Sequence, residues 1–255
     1  MLPIRGLLCA STLFVVAALA GCVGLHLSPS DDQRQSLAPT GRLRVGVHST
    51  STAKGVITSL GKSLAERLGV EFVLVEVKSQ AELLAGIAAG EIDFSGTNAS
   101  LARSARMDFT STVLDLELGY LVVAGSSVST ISDVDRAGVR IGVSPGSTSL
   151  TTLPKLLKNA TVIPMPPSKT ANQMLHAKEI DAYATNKSIL LRMSGDIPNS
   201  RILDGKWGVE HWALCIPKGR DTGLVYLKTF IHSARAKEVV KAAAGNAGLS
   251  GSVVP

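Results

Sequence analysis

Two short stretches hold the polar groups of most chemical interest. The run EIDFSGTN (residues 91–98) ends in Thr97-Asn98, and the run EIDAYATN (residues 179–186) ends in Thr185-Asn186, so a hydroxyl beside an amide returns 88 positions later. Such groups donate and accept hydrogen bonds without ionising near neutral pH, and the chemistry they point to is recognition. Bond-breaking chemistry lacks its residues. Gly146-Ser147 does not lie in a nucleophile elbow, the His residues are scattered, and no His-Cys-Glu cluster has metal-ligand spacing. Cys215, inside the apolar run WALCI (residues 212–216), reads as a small buried hydrophobe in a strand. Lys187, next to Asn186, either supplies charge to an anion or points outward.

A second matching piece precedes each copy, RVGV at residues 44–47 and RIGV at residues 140–143, in the same order. A period this long is not that of a solenoid, and strands bracketing helices predict two α/β lobes facing each other across a cleft. Residues 43–47 are β-prone. Val56, Ile57, Leu60, Leu64 and Leu68 recur at helical spacing until Gly69 ends the helix. Residues 71–77 read as a strand, and Ser79-Gln80-Ala81-Glu82 as a capping box opening a helix closed by Gly90. A strand is expected at 92–95, followed by a small polar loop at 96–100. Residues 116–124 form a long apolar strand that leads out of the first lobe near Gly125. In the second lobe, strand 139–143 and helix 170–178 precede the second Glu-Ile-Asp, and residues 212–217 carry the chain back. A single helix over 225–243 would then pack on the first lobe. Two strands crossing between lobes make a hinge geometry.

The ends and the composition set the remaining bounds. Arg5 followed by the apolar run 13–20 fits a signal h-region, too short for a membrane span. Leu19-Ala20-Gly21-Cys22 fits a lipobox, whose Cys is acylated and becomes the new N-terminus; Ala18-Leu19-Ala20 also satisfies the rule for plain secretion. The expected organisation is a signal peptide (1–21), a flexible tether (22–40), a discontinuous first lobe (41–125 plus 214–255) and a second lobe (126–213). Net charge is +6, but Lys and Arg form no runs and aromatic residues are 4% of the chain. Nucleic-acid binding, which wants a basic stripe or stacking aromatics, is therefore not expected. No cofactor or metal site is expected.

The ordered set GRLRVGV from Gly41, LAERLGV from Leu64, IAAGEID from Ile87, RSARMDFT from Arg103 and VSPGST from Val143 resembles the extracellular solute-binding proteins of family 3. These are the polar-amino-acid-binding components of ABC importers, and the likeness runs from about Gly41 to Leu249. It implies the two-lobed type II periplasmic-binding-protein fold, an extracytoplasmic location, and an ABC permease in the inner membrane as partner. It also implies a small amino acid or related anion as ligand, with the lipid at Cys22 as the membrane anchor.

The resemblance implies a site as well. An Arg six residues before the Phe of the Phe-Thr pair clamps the ligand carboxylate, which assigns the role to Arg103; a guanidinium fork matches two carboxylate oxygens and stays charged. The preceding loop supplies Thr97, Asn98 and Ser100, and the other lobe supplies Ser147 and Thr148, at a helix start facing the anion. Pro154 leaves open whether that helix instead begins near Thr152. Gln80 aligns with a wall position, and His48 and Ser51 stand where the first loop touches ligand. One departure matters most. The family places an Asp at position 186 to pair with the α-ammonium, and here it is Asn186, so a compact anion suits the site at least as well as a zwitterion. Trp207 or Trp212 either covers the cleft mouth or packs at the hinge. Thr97-Asn98 are expected to look across the cleft at Thr185-Asn186. Two other readings share the fold, a dehydratase of prephenate-like acids and a ligand sensor. The first needs a general acid in the cleft, and residues 182–191 hold no carboxylate.

Overall fold

The computed structural model describes residues 28–49, 51–236, 238–246 and 249; the signal segment and Cys22 lie outside them. The body begins earlier than expected. Helix α1 (Asp31–Leu37) occupies the second half of the segment read as a tether, opened by a capping box in which Ser30 and Gln33 each satisfy the other's backbone N–H. Its Leu37 is fully buried. Arg34 Nε donates to the Leu68 carbonyl at 2.7 Å and Gly223 N to Ser36 Oγ at 3.1 Å, so α1 is fastened to the first lobe.

Strand β1 (Arg42–His48), helix α2 (Lys54–Leu68), strand β2 (Glu71–Val77) and helix α3 (Gln80–Ala88) follow in the expected order. The chain then forms β3 (Ser95–Asn98), the short helix α4 (Leu101–Ser104) and the long β4 (Met107–Val123). Thr97 and Asn98 thus belong to a strand, where a loop was expected. The second lobe contains β5 (Arg140–Val143), α5 (Thr148–Leu156), β6 (Thr161–Pro164), α6 (Ala171–His176), β7 (Ala182–Asn186), α7 (Lys187–Asp196) and β8 (Ser200–Ile202). Strand β9 (Gly208–Pro217) returns to α8 (Asp221–Ala236) and α9 (Val239–Asn246). The single terminal helix expected here is two, divided at Glu238, whose φ of 57° lies outside helical space.

Strands β1 and β2 pair in parallel and touch the main sheet through the Val45–Phe94 bridge; the rest run β3-β9-β4-β7-β5-β6, with β8 also on β4. The antiparallel β4 and β9 pass between the halves. Leu116 packs in a core with Leu43, Leu60 and Phe230, whereas Tyr120 packs with Ile141, Leu153 and Ala182. The changeover thus falls inside β4, ahead of the expected limit at 125. On β9, Trp212 already belongs to the first core.

The repeated motif has a physical reason. Arg44 donates from its backbone N, Nε and NH2 to the Asp93 carboxylate at 3.1, 2.7 and 2.8 Å, and Arg140 does the same to Asp181 at 2.8, 3.0 and 3.0 Å. Backbone bonds from Asp93 N to Arg44 O and from Asp181 N to Arg140 O, each 2.8 Å, close both clasps. Between them a Gly receives an Ile: a Cβ on Gly46 would meet Ile92 Cδ1 at 2.7 Å, and one on Gly142 would meet Ile180 Cδ1 at 2.4 Å. Arg-x-Gly and Ile-Asp are two halves of one packing unit, built once per lobe. The helix ends before each clasp also correspond, except that left-handed Gly90 (φ 71°) is matched by Lys178 (φ 55°), where a side chain is strained.

Candidate functional site

Arg103 is held at the end of the turn formed by α4. Its NH1 donates to Thr97 Oγ1 at 2.8 Å and to the Asn98 carbonyl at 3.1 Å, and its NH2 donates to the Gly146 carbonyl of the opposite lobe at 3.1 Å. Thr97 Oγ1 also accepts from Gln80 Nε2 at 3.1 Å. Gly146, at φ 71°, comes close enough to α3 that a Cβ there would meet Ala81 N at 3.2 Å. The lobes therefore touch at this point, with a guanidinium between them. Burial pushes the Arg103 pKa down, while the charge of Glu210 pulls it up.

The second lobe presents Thr148 as the first residue of α5. Ser147 is the N-cap, its hydroxyl accepting from Leu150 N at 3.3 Å, and Pro154 lies inside the helix. The alternative start near Thr152 is not adopted, because the Ser147 cap satisfies the first turn. Thr148 Oγ1 accepts from Asn98 Nδ2 at 3.0 Å across the cleft. Asn186 ends β7 and caps α7: its Oδ1 accepts from Ile189 N at 3.0 Å, which leaves its amide nitrogen as donor.

What both groups face was not foreseen. Glu210 on β9 is paired with Leu116 in the crossing strands. Burial pushes its carboxyl pKa up; the attraction of Arg103 and hydrogen bonding to Thr148 and Asn186 act in the opposite direction. No direct ion pair joins Glu210 to Arg103 among the described residues. A carboxylate and a guanidinium thus stand in one cleft, with hydroxyls and amides from both lobes around them.

The remaining expected residues divide. Thr97, Asn98, Gln80, Arg103, Thr148 and Asn186 belong to this network, with Ser147 as the cap behind it. Ser100 opens α4 with no side-chain cap bond, and its carbonyl accepts from the Arg103 and Ser104 backbone. His48 Nε2 bonds the Lys78 carbonyl at 3.0 Å. Ser51 Oγ accepts from Ala53 N at 3.2 Å and lines a separate groove of about 560 Å3, with Ser49, Thr52, Lys54 and Thr58 on one side and Arg192 on the other. His48, Ser51 and Ser100 are thus each engaged by backbone groups.

Lys187 points away, pairing with Glu117 at 2.8 Å; Lys206 joins the same carboxylate at 2.9 Å, and together they hold its pKa at about 2. Neither Trp covers the cleft. Trp207 stacks on Tyr120 with ring centroids 6.2 Å apart and donates from Nε1 to the Gly119 carbonyl at 3.1 Å, while Trp212 is buried against Gly96. Cys215 is fully buried, its thiol pushed up to about 12. The described residues hold no cluster fit for a metal and no helix long and apolar enough to cross a membrane.

Glu210 lies well beyond residues 182–191, the stretch in which a cleft carboxylate was expected and none stands. Only the strand order β3-β9-β4-β7 brings residue 210 toward residues 98 and 186, and strand pairing over such separations is not written locally. The hint available was a carboxylate just ahead of the apolar run WALCI in the crossing strand.

A curated glutamine-binding protein of Geobacillus stearothermophilus is 25% identical over 233 residues, 79% of this chain and 87% of that protein. A solute receptor for L-cysteine of Neisseria gonorrhoeae superposes with a TM-score of 0.72 at 18% identity, over 84% of this chain and 92% of that one. An amino-acid ABC-transporter substrate-binding protein of Streptococcus pneumoniae, solved with L-arginine, gives 0.71 at 18% identity over 84% and 97%. An ancestral amino-acid-binding protein, a precursor of cyclohexadienyl dehydratase, gives 0.70 at 18% identity, again over 84% and 97%. The architecture is accordingly that of the type II periplasmic binding proteins. The sequence model of the bacterial extracellular solute-binding proteins, family 3, matches residues 45–244, and the chain belongs to that family.

Proposed function

We propose that this protein is the solute-capturing component of an ABC importer. It takes a small, polar, carboxylate-bearing molecule of amino-acid size between its lobes and hands it to a permease in the inner membrane. Acylated Cys22 tethers it outside the cytoplasm. The observation that carries this reading is the place of Arg103, a charged fork held by Thr97 of one lobe and reaching the Gly146 carbonyl of the other. A ligand carboxylate entering there would replace contacts to neutral groups with a bidentate, charge-assisted pair. Closure then follows from contacts made to both lobes at once, since only differential affinity for the closed state shifts that equilibrium. The lobes would move about β4 and β9, the two strands they share. The 25% identical glutamine-binding protein supports an amino-acid-sized ligand.

Isothermal titration of the purified chain with amino acids and dicarboxylates tests the assignment. Arg103→Ala should weaken the ligand's affinity by about 30-fold or more, as expected when a buried charged partner worth at least about 2 kcal/mol is lost, with far-UV circular dichroism unchanged. Retained affinity would remove Arg103 from the site. Steady turnover of prephenate by the wild type would replace the receptor reading with that of an enzyme.

A further inference from the structure

Two second-lobe groups that bond the first lobe, the Gly146 carbonyl and the Thr148 hydroxyl, come from one short turn. In Ser144-Pro145-Gly146-Ser147, Ser147 N donates to the Ser144 carbonyl at 3.2 Å and Gly146 stands at φ 71°, the left-handed angle that a type II turn requires after its Pro. The Gly146 carbonyl accepts from Arg103 NH2 at 3.1 Å, Ser147 caps α5, and Thr148 Oγ1 accepts from Asn98 Nδ2 at 3.0 Å. The height of the turn therefore decides whether both cross-cleft bonds form together.

The sheet by itself does not hold that height. Strand β5 pairs with β7 as far as Gly142 with Tyr183, and on its other edge Met165 N donates to the Val143 carbonyl at 2.9 Å. Past these bonds the attachment is a side chain. The hydroxyls of Ser144 and Tyr183 lie 2.7 Å apart, and Tyr183, 5% exposed, belongs to a core with Leu121, Leu175 and Leu190. A packed ring thus carries one polar tip to the root of the turn.

We propose that Tyr183 is a positioning residue for solute capture: through Ser144 it sets the Pro145-Gly146 turn where Gly146 and Thr148 meet the first lobe. The role rests on the receptor reading above and deepens it. Binding groups keep a productive geometry only when the side chains behind them are locked by packing and hydrogen bonds, and Tyr183 has both. Burial also pushes its phenol pKa up, so the bond stays one between neutral hydroxyls near neutral pH.

The test is isothermal titration and stopped-flow Trp fluorescence of the purified chain with the standard L-amino acids, succinate and glutarate. For each probe that binds wild type, Tyr183→Phe, which keeps the ring, should weaken affinity about three- to tenfold, the scale of one neutral hydrogen bond. The loss should appear as faster dissociation, because the turn acts in contacts completed on closure. Ser144→Ala should do the same, and the double variant should bind no more weakly than either single one. Ser126→Ala is the control. Its hydroxyl donates to the Asp181 carbonyl at 2.8 Å, level with Arg140 where β5 begins, so it removes a similar bond away from the turn and should leave affinity unchanged.

Wild-type affinity in either Tyr183→Phe or Ser144→Ala overturns the role; if Arg103→Ala still weakens binding of the same probe, the receptor reading stands. Losses that multiply in the double variant, fall on association alone or recur in Ser126→Ala also overturn it. Should Tyr183→Phe fail to fold, Ser144→Ala against the control decides. Binding of no probe by the wild type overturns the receptor reading, and this proposal with it.

Discussion

Replacing Asp93 with Asn changes one oxygen to an NH2 group and removes one charge, but the site punishes both. The carboxylate is fully buried and accepts from Arg44 N, Nε and NH2 and from Arg220 NH1 at 2.9 Å. Whichever way the amide turns, its NH2 faces N–H groups, and two guanidinium groups lose their counter-charge. Removing one partner of a buried ion pair costs about 3–5 kcal/mol. For a chain of this size each 1 kcal/mol moves Tm by about 2–4 °C, so Asp93→Asn should melt about 6–20 °C lower.

The second copy supplies the control. Asp181 is 17% exposed and its partner Arg140 38% exposed, with no second guanidinium; the corresponding loss should be about 1–2 kcal/mol, between a surface pair and a hydrogen bond to a charged group. Asp181→Asn should therefore cost only about 2–8 °C. Thermal unfolding followed by circular dichroism, at low salt and in 1 M NaCl, reads both. Salt at that concentration screens beyond about 3 Å in solvent but reaches a buried pair poorly, so the Asp93→Asn deficit should persist. An Asp93→Asn protein melting within about 2 °C of wild type, or below which Asp181→Asn falls further, would refute the burial argument.

Other expectations follow from single residues. Lys178 holds φ at 55° where the first lobe has Gly90; Lys178→Gly should stabilise by about 0.5–1 kcal/mol through relief of left-handed strain, and an unchanged or lower midpoint in urea unfolding would count against that strain. Because the folded pKa of Glu210 is raised by burial, the fold favours its neutral form. Its charge therefore lowers stability progressively as pH rises from the ordinary Glu value of about 4.3 through the raised folded value. Ligand-free Glu210→Gln should accordingly melt above wild type at pH 7.5, with the gap closing near pH 4. Subtracting the two melting curves cancels groups common to both, and a gap that does not depend on pH would deny Glu210 a raised pKa.

The sequence was most readable where structure is made by neighbours. The spacing from Val56 to Leu68 and the stop at Gly69 gave α2, and the Ser79 cap of α3 bonds Glu82 N at 3.1 Å. The Arg-Gly and Ile-Asp pieces could be matched because each clasp draws on a few residue types in fixed order. Reading failed where composition misled. The first-turn carboxylates and polar run of α1 looked like a tether, although Ser30 and Gln33 already had capping-box spacing. Pro154 left the α5 start open, and only the Ser147 cap decides it. In the site, Arg103, Thr97 and Thr148 came from a family resemblance. Glu210 came from neither pattern nor resemblance, because its neighbours are set by which strands lie side by side.

The fastening of α1 bears on how the molecule sits at its membrane. If Cys22 carries the lipid, the anchor precedes Asp31, the first residue of α1, by a covalent reach of at most about 30 Å. A leash of that length would keep the receptor grazing the bilayer, confining it to a shallow layer and raising its local concentration around any permease in the same sheet of lipid.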